Sequence, residues 1–265
     1  MNQRNWRLIL DGAASGARNM ARDEALWHAV SRGEVAPTLR FYAWEPHCLS
    51  LGRLQRDLPL AVQQLQSGAR HDFACVRRPT GGRAVWHADE ITYALALPLE
   101  ILPETARGVN AAYEWLSRGF LRGLQSVDLP VELSPHNAKS RGTNCFEASA
   151  ACDFVVEGRK LIGAAQCRNE RALLQHGSIL RSIDRARWSE LAGGAMENAV
   201  SLEEISPTPR SIARWQQILA CGFEREFGVR FEVEAWSEGE ACHSAALEAK
   251  YASSQWNFEA KIAPD

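Results

Sequence analysis

The apolar pattern predicts an α/β fold with mixed sheets, and three stretches carry that reading. Residues 91–97 alternate large and small, with Ile91, Tyr93, Leu95 and Leu97 against Thr92, Ala94 and Ala96. That is the period of a strand with one crowded face and one tight face. Residues 108–127 carry Val109, Tyr113, Leu116, Phe120 and Leu124 at steps of three and four, the stripe of a helix whose job is core packing. Residues 154–163 read as a β-hairpin turning at Glu157-Gly158. On its return strand Lys160 and Ile162 are expected to face one way and Leu161 the other.

The remaining elements follow in order. Trp6 to Leu10 reads as a strand, Gly12 to Gly16 as a loop, and Met20 to Trp27 as a helix with its acids early and Leu26, Trp27 and Val30 turned inward. Leu39 to Trp44 is an aromatic-rich strand, and Cys48 to Arg53 begins another after Pro46. A short helix, Leu58 to Gly68, is closed by its glycine, and Phe73 to Val76 is a further strand. Beyond the long helix, Leu129 to Leu133 leaves as a strand. Ser134 to Asn144 is a polar loop without period, of the kind that carries function or disorder. Leu174 to Leu180 and Val229 to Val233 read as strands; Trp188 to Leu191, Ile212 to Phe227 and Ala245 to Tyr251 read as helices. No repeat or clear linker divides the chain. Residues 1–265 are expected to form a single catalytic domain, with a core over about 30–225 and a small helical C-terminal extension over 226–265.

Composition sets the outer bounds. The chain has 265 residues, 46% hydrophobic and 23% charged, enough to bury a sizeable core. Its net charge of −2 gives no case for binding nucleic acid or membrane by bulk charge. The cations are local instead: Arg77, Arg78 and Arg83, then Lys139 and Arg141, then Arg159 and Lys160. A solvated surface accounts for any one cluster; several near one loop also suit an acidic partner. Seven cysteines show no metal-ligand spacing and no C-x-x-C. The apolar run at Leu8-Ile9-Leu10 is too short for a signal-peptide core, and no run of about 18 apolar residues exists to span a membrane. A cytoplasmic protein with reduced thiols is expected.

Chemistry concentrates around Arg77-Arg78-Pro79-Thr80-Gly81-Gly82-Arg83-Ala84-Val85-Trp86-His87. Two cations, a turn-former and two glycines make a loop whose backbone is able to approach an anion or an acyl carbonyl; a tight turn between strands is the plainer reading of the same residues. Cys145 follows the polar loop, and Lys160 lies 15 residues on, in the hairpin. A nearby ammonium favours a thiolate, which is the nucleophilic form of cysteine. A lone cysteine is nevertheless most often a small core filler, and a lone lysine near a turn is usually solvated. His87, His136 and His176 each suit either a general base or a hydrogen-bonded structural role. The base is left unassigned, and the other six cysteines are read as structural or incidental.

The glycine loop resembles the RR-x-(S/T)-G-G-(G/R)-A-V-x-H signature of the lipoate–protein ligase and octanoyltransferase family, in particular its cysteine-dependent octanoyltransferase branch, in which arginine takes the third glycine position as Arg83 does. Further segments follow the family in order. They are Pro46, Ser50, Gly52 and Gln55; Cys145-Phe146; Val156 to Gln166; Leu174-Gln175-His176-Gly177-Ser178-Ile179; and Lys250 to Asn257, which is similar to K-Y-x-S-x-x-W-N. Two positions depart from it. Cys152-Asp153-Phe154 stands where tyrosine-glutamate-leucine is usual, and Ala164 replaces the more frequent serine. Both are expected to alter the pocket while touching neither the nucleophile nor the lysine. The resemblance implies a biotin/lipoyl protein ligase-like catalytic domain acting as an octanoyltransferase in lipoate biosynthesis. Cys145 would take octanoyl from octanoyl-acyl carrier protein as a thioester, Lys160 would contact the acyl carbonyl and favour the thiolate, and Arg78, Gly81, Gly82 and His87 would line the acyl site. A lysine of a lipoyl-domain protein, typically the glycine cleavage H protein, would then form the amide. No cofactor or metal is implied, since a thioester donor needs no nucleotide. The rivals are an ATP-dependent lipoate–protein ligase, which has no need of the Cys145 motif, and an amidotransferase between lipoyl-domain proteins, whose glycine loop is less like this one. A domain that only binds carrier proteins would be told apart by acyl loading of Cys145.

Overall fold

A computed structural model describes residues 4–69, 71–134, 144–146, 152–194 and 196–259. Along the chain run β1 (Arg4–Ala14), α1 (Gly16–Ser31), β2 (Thr38–Trp44), β3 (Cys48–Leu51), α2 (Leu60–Gln66), β4 (Ala74–Arg77), β5 (Val85–His87), β6 (Glu90–Pro98), α3 (Val109–Gln125) and β7 (Glu132–Leu133). After these come β8 (Phe154–Val156), β9 (Arg159–Arg168), β10 (Ala172–Leu180), α4 (Arg185–Ala192), α5 (Leu202–Ile205), α6 (Ile212–Phe227), β11 (Val229–Val233), α7 (Glu238–Ala252) and α8 (Ser254–Phe258). Eight of the described strands form one sheet, in the order β11-β1-β2-β6-β10-β9-β8-β7, and three form a second, β4-β3-β5. Both sheets are mixed: β1 runs parallel to β11 and β2, β6 and β10 are antiparallel, and β3 is parallel to β4 but antiparallel to β5. Among the described residues no helix is long and apolar enough to cross a membrane.

The alternation of β6 does what its pattern predicts. Ile91, Tyr93, Leu95 and Leu97 face a core with Leu116, Phe120 and Leu124 of α3 and Trp215, Leu219 and Phe223 of α6. Ala94 and Ala96 face the other side, where Met20, Leu26 and Val30 of α1 pack with Tyr42, Trp44 and Leu174. The small sheet has its own core with α2 and α4, built on Leu49, Val62, Phe73, Trp86 and Trp188. Residues 229–258 build back onto this body. β11 extends the large sheet beside β1, the buried Arg7 of β1 pairs with Glu240 of α7 at 2.8 Å, and Glu24 of α1 accepts from both Lys250 and Tyr251.

Several local expectations are corrected. Val109 is exposed, because the stripe of α3 meets its partners only from the second turn on. Gly12 lies within β1, not in a loop: a register shift between Leu10 and Ala13 absorbs one extra residue, and pairing with β2 resumes through Ala14. Such a bulge re-aims a side chain, and here it points Asp11 at Arg40, 2.8 Å away. Helix α1 begins at Gly16, capped by the Ser15 side chain, so Asp23 and Glu24 sit in its middle. Only Glu132–Leu133 of the expected strand pairs, since Pro130 has no N–H to offer and Val131 turns back onto the Leu129 carbonyl. Helix α7 starts at Glu238, seven residues early, under a capping box of Ser237 and Glu240. In β9 the expected alternation is broken as well. Val155 pairs with Lys160 and Phe154 with Ile162, so Leu161 is bulged and both Leu161 and Ile162 enter the main core.

Asp23 and Arg40 tie these layers together. Both side chains are shielded from water, and Arg40 Nη1 lies 2.6 Å from Asp23 Oδ1. The same carboxylate accepts from Tyr42 Oη at 2.9 Å and lies 3.0 Å from His176 Nδ1. Replacing Asp23 by alanine leaves Arg40 buried with half its counter-charge gone, a change that costs roughly 3–5 kcal/mol for a buried pair. Urea unfolding of Asp23→Ala is expected to show a lowered midpoint with an unchanged slope.

Candidate active site

A cleft opens where the two sheets meet, lined by residues of α1, β2, β3, β5, β6, β9 and β10 together with Arg78 and Cys145. Met20, Trp44, Val85, Ala164 and Ala165 make its wall largely apolar.

Cys145 is placed there by the glycine loop itself. Its backbone N–H donates to the Ala84 carbonyl at 3.0 Å, and Asn144 bridges Ala84 in parallel. The Asn144 side chain accepts from the Phe146 N–H at 2.9 Å, closing the turn. Phe146 drops into the small-sheet core against Trp188. Gly163 makes room for this turn: a Cβ there would lie 2.9 Å from Phe146 Cζ and 3.5 Å from Cys145 Sγ. Lys160 approaches from β9. Its Nζ is 3.9 Å from Cys145 Sγ and donates to the Cys145 carbonyl at 3.3 Å. Burial pulls the Lys160 ammonium down, but the charges of Cys145 and Asp153 outweigh it, and its pKa stands above the ordinary lysine value. The expectation that residues 152–154 leave the lysine alone is therefore wrong: Asp153 Oδ2 lies 2.7 Å from Lys160 Nζ, with both side chains buried. The second departure, Ala164, lines the cleft as expected. At Cys75 and Cys167 burial outweighs the pull of Arg77 and Arg53 and pushes the thiols up to about 12, which disfavours their thiolates.

Arg78 and His87 line the cleft, whereas Gly81 and Gly82 stand one layer behind it. Arg78 spends its donors on the protein: Nη1 on the Ser50 carbonyl and hydroxyl, Nη2 on the carbonyls of Gly81 at 2.8 Å and Arg83 at 2.7 Å. Burial lowers its pKa and the Cys145 charge opposes that shift. The guanidinium shapes the loop from within. Gly82 has φ +91°, a left-handed conformation suited to glycine, and its carbonyl occupies the space a Cβ on Gly52 would need, 1.9 Å away. His87 stacks on Trp44 and lies 2.6 Å from Glu90 Oε1 through Nδ1 and 2.7 Å from Ser50 Oγ through Nε2. Glu90 also accepts from the Thr92 and Ser178 hydroxyls. His176 is held likewise between Asp23 and Thr80, and burial keeps its pKa below the ordinary value against the pull of Asp23. Both imidazoles thus use both ring nitrogens on the protein. His136, Lys139 and Arg141 lie outside the described residues.

The closing motif braces the loop from outside. Arg77 N–H donates to Asn257 Oδ1 at 2.7 Å, Arg77 Nε to the Asn257 carbonyl at 3.0 Å, and Trp256 Nε1 to the Arg77 carbonyl at 2.7 Å. Asp153, Tyr113 and Glu90 are not among the site residues expected from the sequence. For Asp153 a signal existed, since it occupies the place of a usual glutamate ahead of the hairpin.

Residues 15–224 match the family model described as the lipoyl protein ligase A/B catalytic domain, and the chain belongs to that family. Its curated relatives narrow the class to acyltransferases. The chain is 38% identical to Octanoyltransferase LipM of Kyrpidia tusciae over 96% of its own length and 98% of the relative's. It is 37% identical to the protein of that name from Symbiobacterium thermophilum and 33% to that from Staphylococcus aureus, with the same coverage. Among solved structures, lipoate-protein ligase A bound with ATP superposes with TM-score 0.77 at 19% identity, over 98% of this chain and 100% of that one. A bi-partite lipoate protein ligase from Thermoplasma acidophilum gives the same TM-score and identity over 98% and 99%. These structures share the fold.

The contact between Gly52 and Gly82 provides a test of the loop. Gly52→Ala forces backbone apart and is expected to destabilise the protein by roughly 1–3 kcal/mol. Thermal melting reports the loss, and alkylation of Cys145 by iodoacetamide, followed by peptide mass mapping, reports the disturbed turn.

Proposed function

We propose that this acyltransferase moves an octanoyl group from octanoyl-acyl carrier protein, through a thioester on Cys145, to a lysine of a lipoyl-domain protein such as the glycine cleavage H protein. The chain acts as a single catalytic unit in this reading. The observation that carries it is the Cys145 thiol at an apolar cleft, with the Lys160 ammonium 3.9 Å from its sulfur. An ammonium at that distance favours the thiolate, the form that attacks a thioester carbonyl. In the first half-reaction the Cys145 sulfur bonds to the octanoyl carbon and the carrier's thiolate leaves. In the second, the acceptor amine bonds to the same carbon, the C–S bond breaks and the amine's proton passes to the departing Cys145 thiolate. Lys160 is suited to both stages, because each passes through a sulfur carrying negative charge beside it. The apolar wall suits a saturated chain, and the loop that holds Cys145 in place is shaped by Arg78, Gly81, Gly82 and His87.

Three measurements test this reading. Wild-type protein mixed with octanoyl-acyl carrier protein is expected to gain the mass of one octanoyl group, and Cys145→Ala to gain none while still folding. Lys160→Ala is expected to slow acyl loading by roughly two to four powers of ten, with poor rescue by Lys160→Arg, whose planar guanidinium does not replace a compact ammonium. Transfer to the lipoyl domain is expected without ATP or magnesium, with parallel-line kinetics when both carriers are varied. Labelling from free lipoate plus ATP, with none from the carrier thioester, would sink the transferase in favour of a ligase.

A further inference from the structure

Acylation changes the charge count around Lys160. Before acylation the Lys160 ammonium faces the Cys145 sulfur 3.9 Å away, negative when it is the attacking thiolate, and the Asp153 carboxylate 2.7 Å away. Once Cys145 carries an acyl group its sulfur is neutral. Asp153 is then the anion still in contact with a lysine that is almost wholly buried. A buried lysine without a counter-charge gives up its proton. The neutral amine that results is itself a nucleophile, and this one is held beside an acyl thioester: Nζ lies 3.9 Å from the sulfur to which the acyl carbon bonds. Proximity of that kind gives an internal amine an advantage that no diffusing acceptor matches.

We propose that Asp153 guards the acyl-enzyme: its carboxylate keeps Lys160 an ammonium while Cys145 is acylated, and so stops the octanoyl group from migrating to Lys160 Nζ. The step prevented is a transfer from sulfur to nitrogen. The Lys160 amine bonds to the octanoyl carbon, the C–S bond breaks, and the amine's proton passes to the departing Cys145 thiolate. The products are a free thiol and an amide on Lys160, which ends catalysis because an amide does not return its acyl group to a thiol.

Asp153 is placed for the task. Oδ2 faces Lys160, and Oδ1 accepts from Tyr113 Oη of α3 at 3.1 Å. Burial pushes the Tyr113 hydroxyl well above its ordinary pKa, so it remains a donor. The carboxylate's backbone is held by Ser134, whose N–H donates to the Asp153 carbonyl at 2.8 Å. Among the described residues, Phe146 offers Lys160 a ring face 5.6 Å away, and Asn198 and Val200 meet its backbone. Burial depresses the Lys160 pKa, and the Cys145 and Asp153 charges together reverse that shift. Acylation removes the first of these.

The inference rests on the acyl-transfer reading, and one experiment separates their failures. Wild type, Asp153→Asn and Asp153→Glu are incubated with octanoyl-acyl carrier protein between about pH 6 and about pH 9, then split with and without neutral hydroxylamine, which cleaves thioesters and spares amides. Intact mass and peptide mapping locate the acyl group. Wild type is expected to carry a hydroxylamine-labile group on Cys145. Asp153→Asn is expected to accumulate a hydroxylamine-resistant group on Lys160. That product appears at a pH lower by roughly one to three units than any trace of it in wild type, the span of one close counter-charge. Asp153→Glu restores the charge and is expected to follow wild type. A wild type that never loads overturns the acyl-transfer reading itself. A wild type that loads, beside an Asp153→Asn that folds yet gains no resistant adduct at any pH, or never loads, overturns the guard alone. Where circular dichroism shows Asp153→Asn unfolded, Asp153→Glu decides: a resistant adduct at wild-type-inert pH in a variant that keeps the carboxylate overturns the inference.

Discussion

Arg40 is the side chain on which the arrangement depends. It sits on β2 with no exposure to water, and its guanidinium reaches Asp11, Asp23 and the Asn19 side chain and carbonyl. A buried cation is tolerable only when its charge and its N–H groups are all answered. Answering them fixes the bulge in β1, the rotation of α1 and, through Asp23, the ring of His176 on β10. One wall of the cleft follows from that single requirement. The Tyr42 ring lies over the same guanidinium, its centroid 3.9 Å away, so the aromatic wall is set as well.

The opposite wall is assembled differently. There the small sheet brings the glycine loop to the end of β3, Arg78 gathers the loop carbonyls, and Ala84 hands the geometry on to Cys145. Cys145 therefore stands on a turn stitched to a rigid loop, while Lys160 comes from a strand of the other sheet. Placing the two partners on separate sheets makes their distance a property of the whole packing. Pre-organised groups of this kind need no rearrangement as charge develops on sulfur.

Local periodicity made much of the fold legible. The alternation of β6, the later turns of α3 and the hairpin at Gly158, where both Glu157 and Gly158 have positive φ, are dictated by neighbours in sequence. The cationic loop and Cys145 were legible as motifs. What sequence spacing did not disclose depends on partners far apart. Asp153 reads as a hairpin approach until Tyr113, 40 residues earlier, and Lys160 are seen on its two oxygens. Tyr113 itself carries the period of a core residue and spends its hydroxyl on the site. Gly12 fails as a loop signal because a bulge conceals one extra residue inside a continuing strand. Leu161 breaks its alternation for the same reason. In each case a tertiary contact overrides the local pattern.

The brace between Arg77 and Asn257 spans 180 residues of sequence. During synthesis the glycine loop leaves the ribosome long before Trp256 and Asn257 do. Residues 77–83 and Cys145 thus pass through a period in which the loop lacks its outer support. Contacts so distant in sequence form late, because their loop-closure entropy must be met first. The nascent chain therefore carries Cys145 and Lys160 well before it carries the contacts that brace the glycine loop, and a premature stop ahead of the final motif yields a protein with both side chains and an unbraced loop.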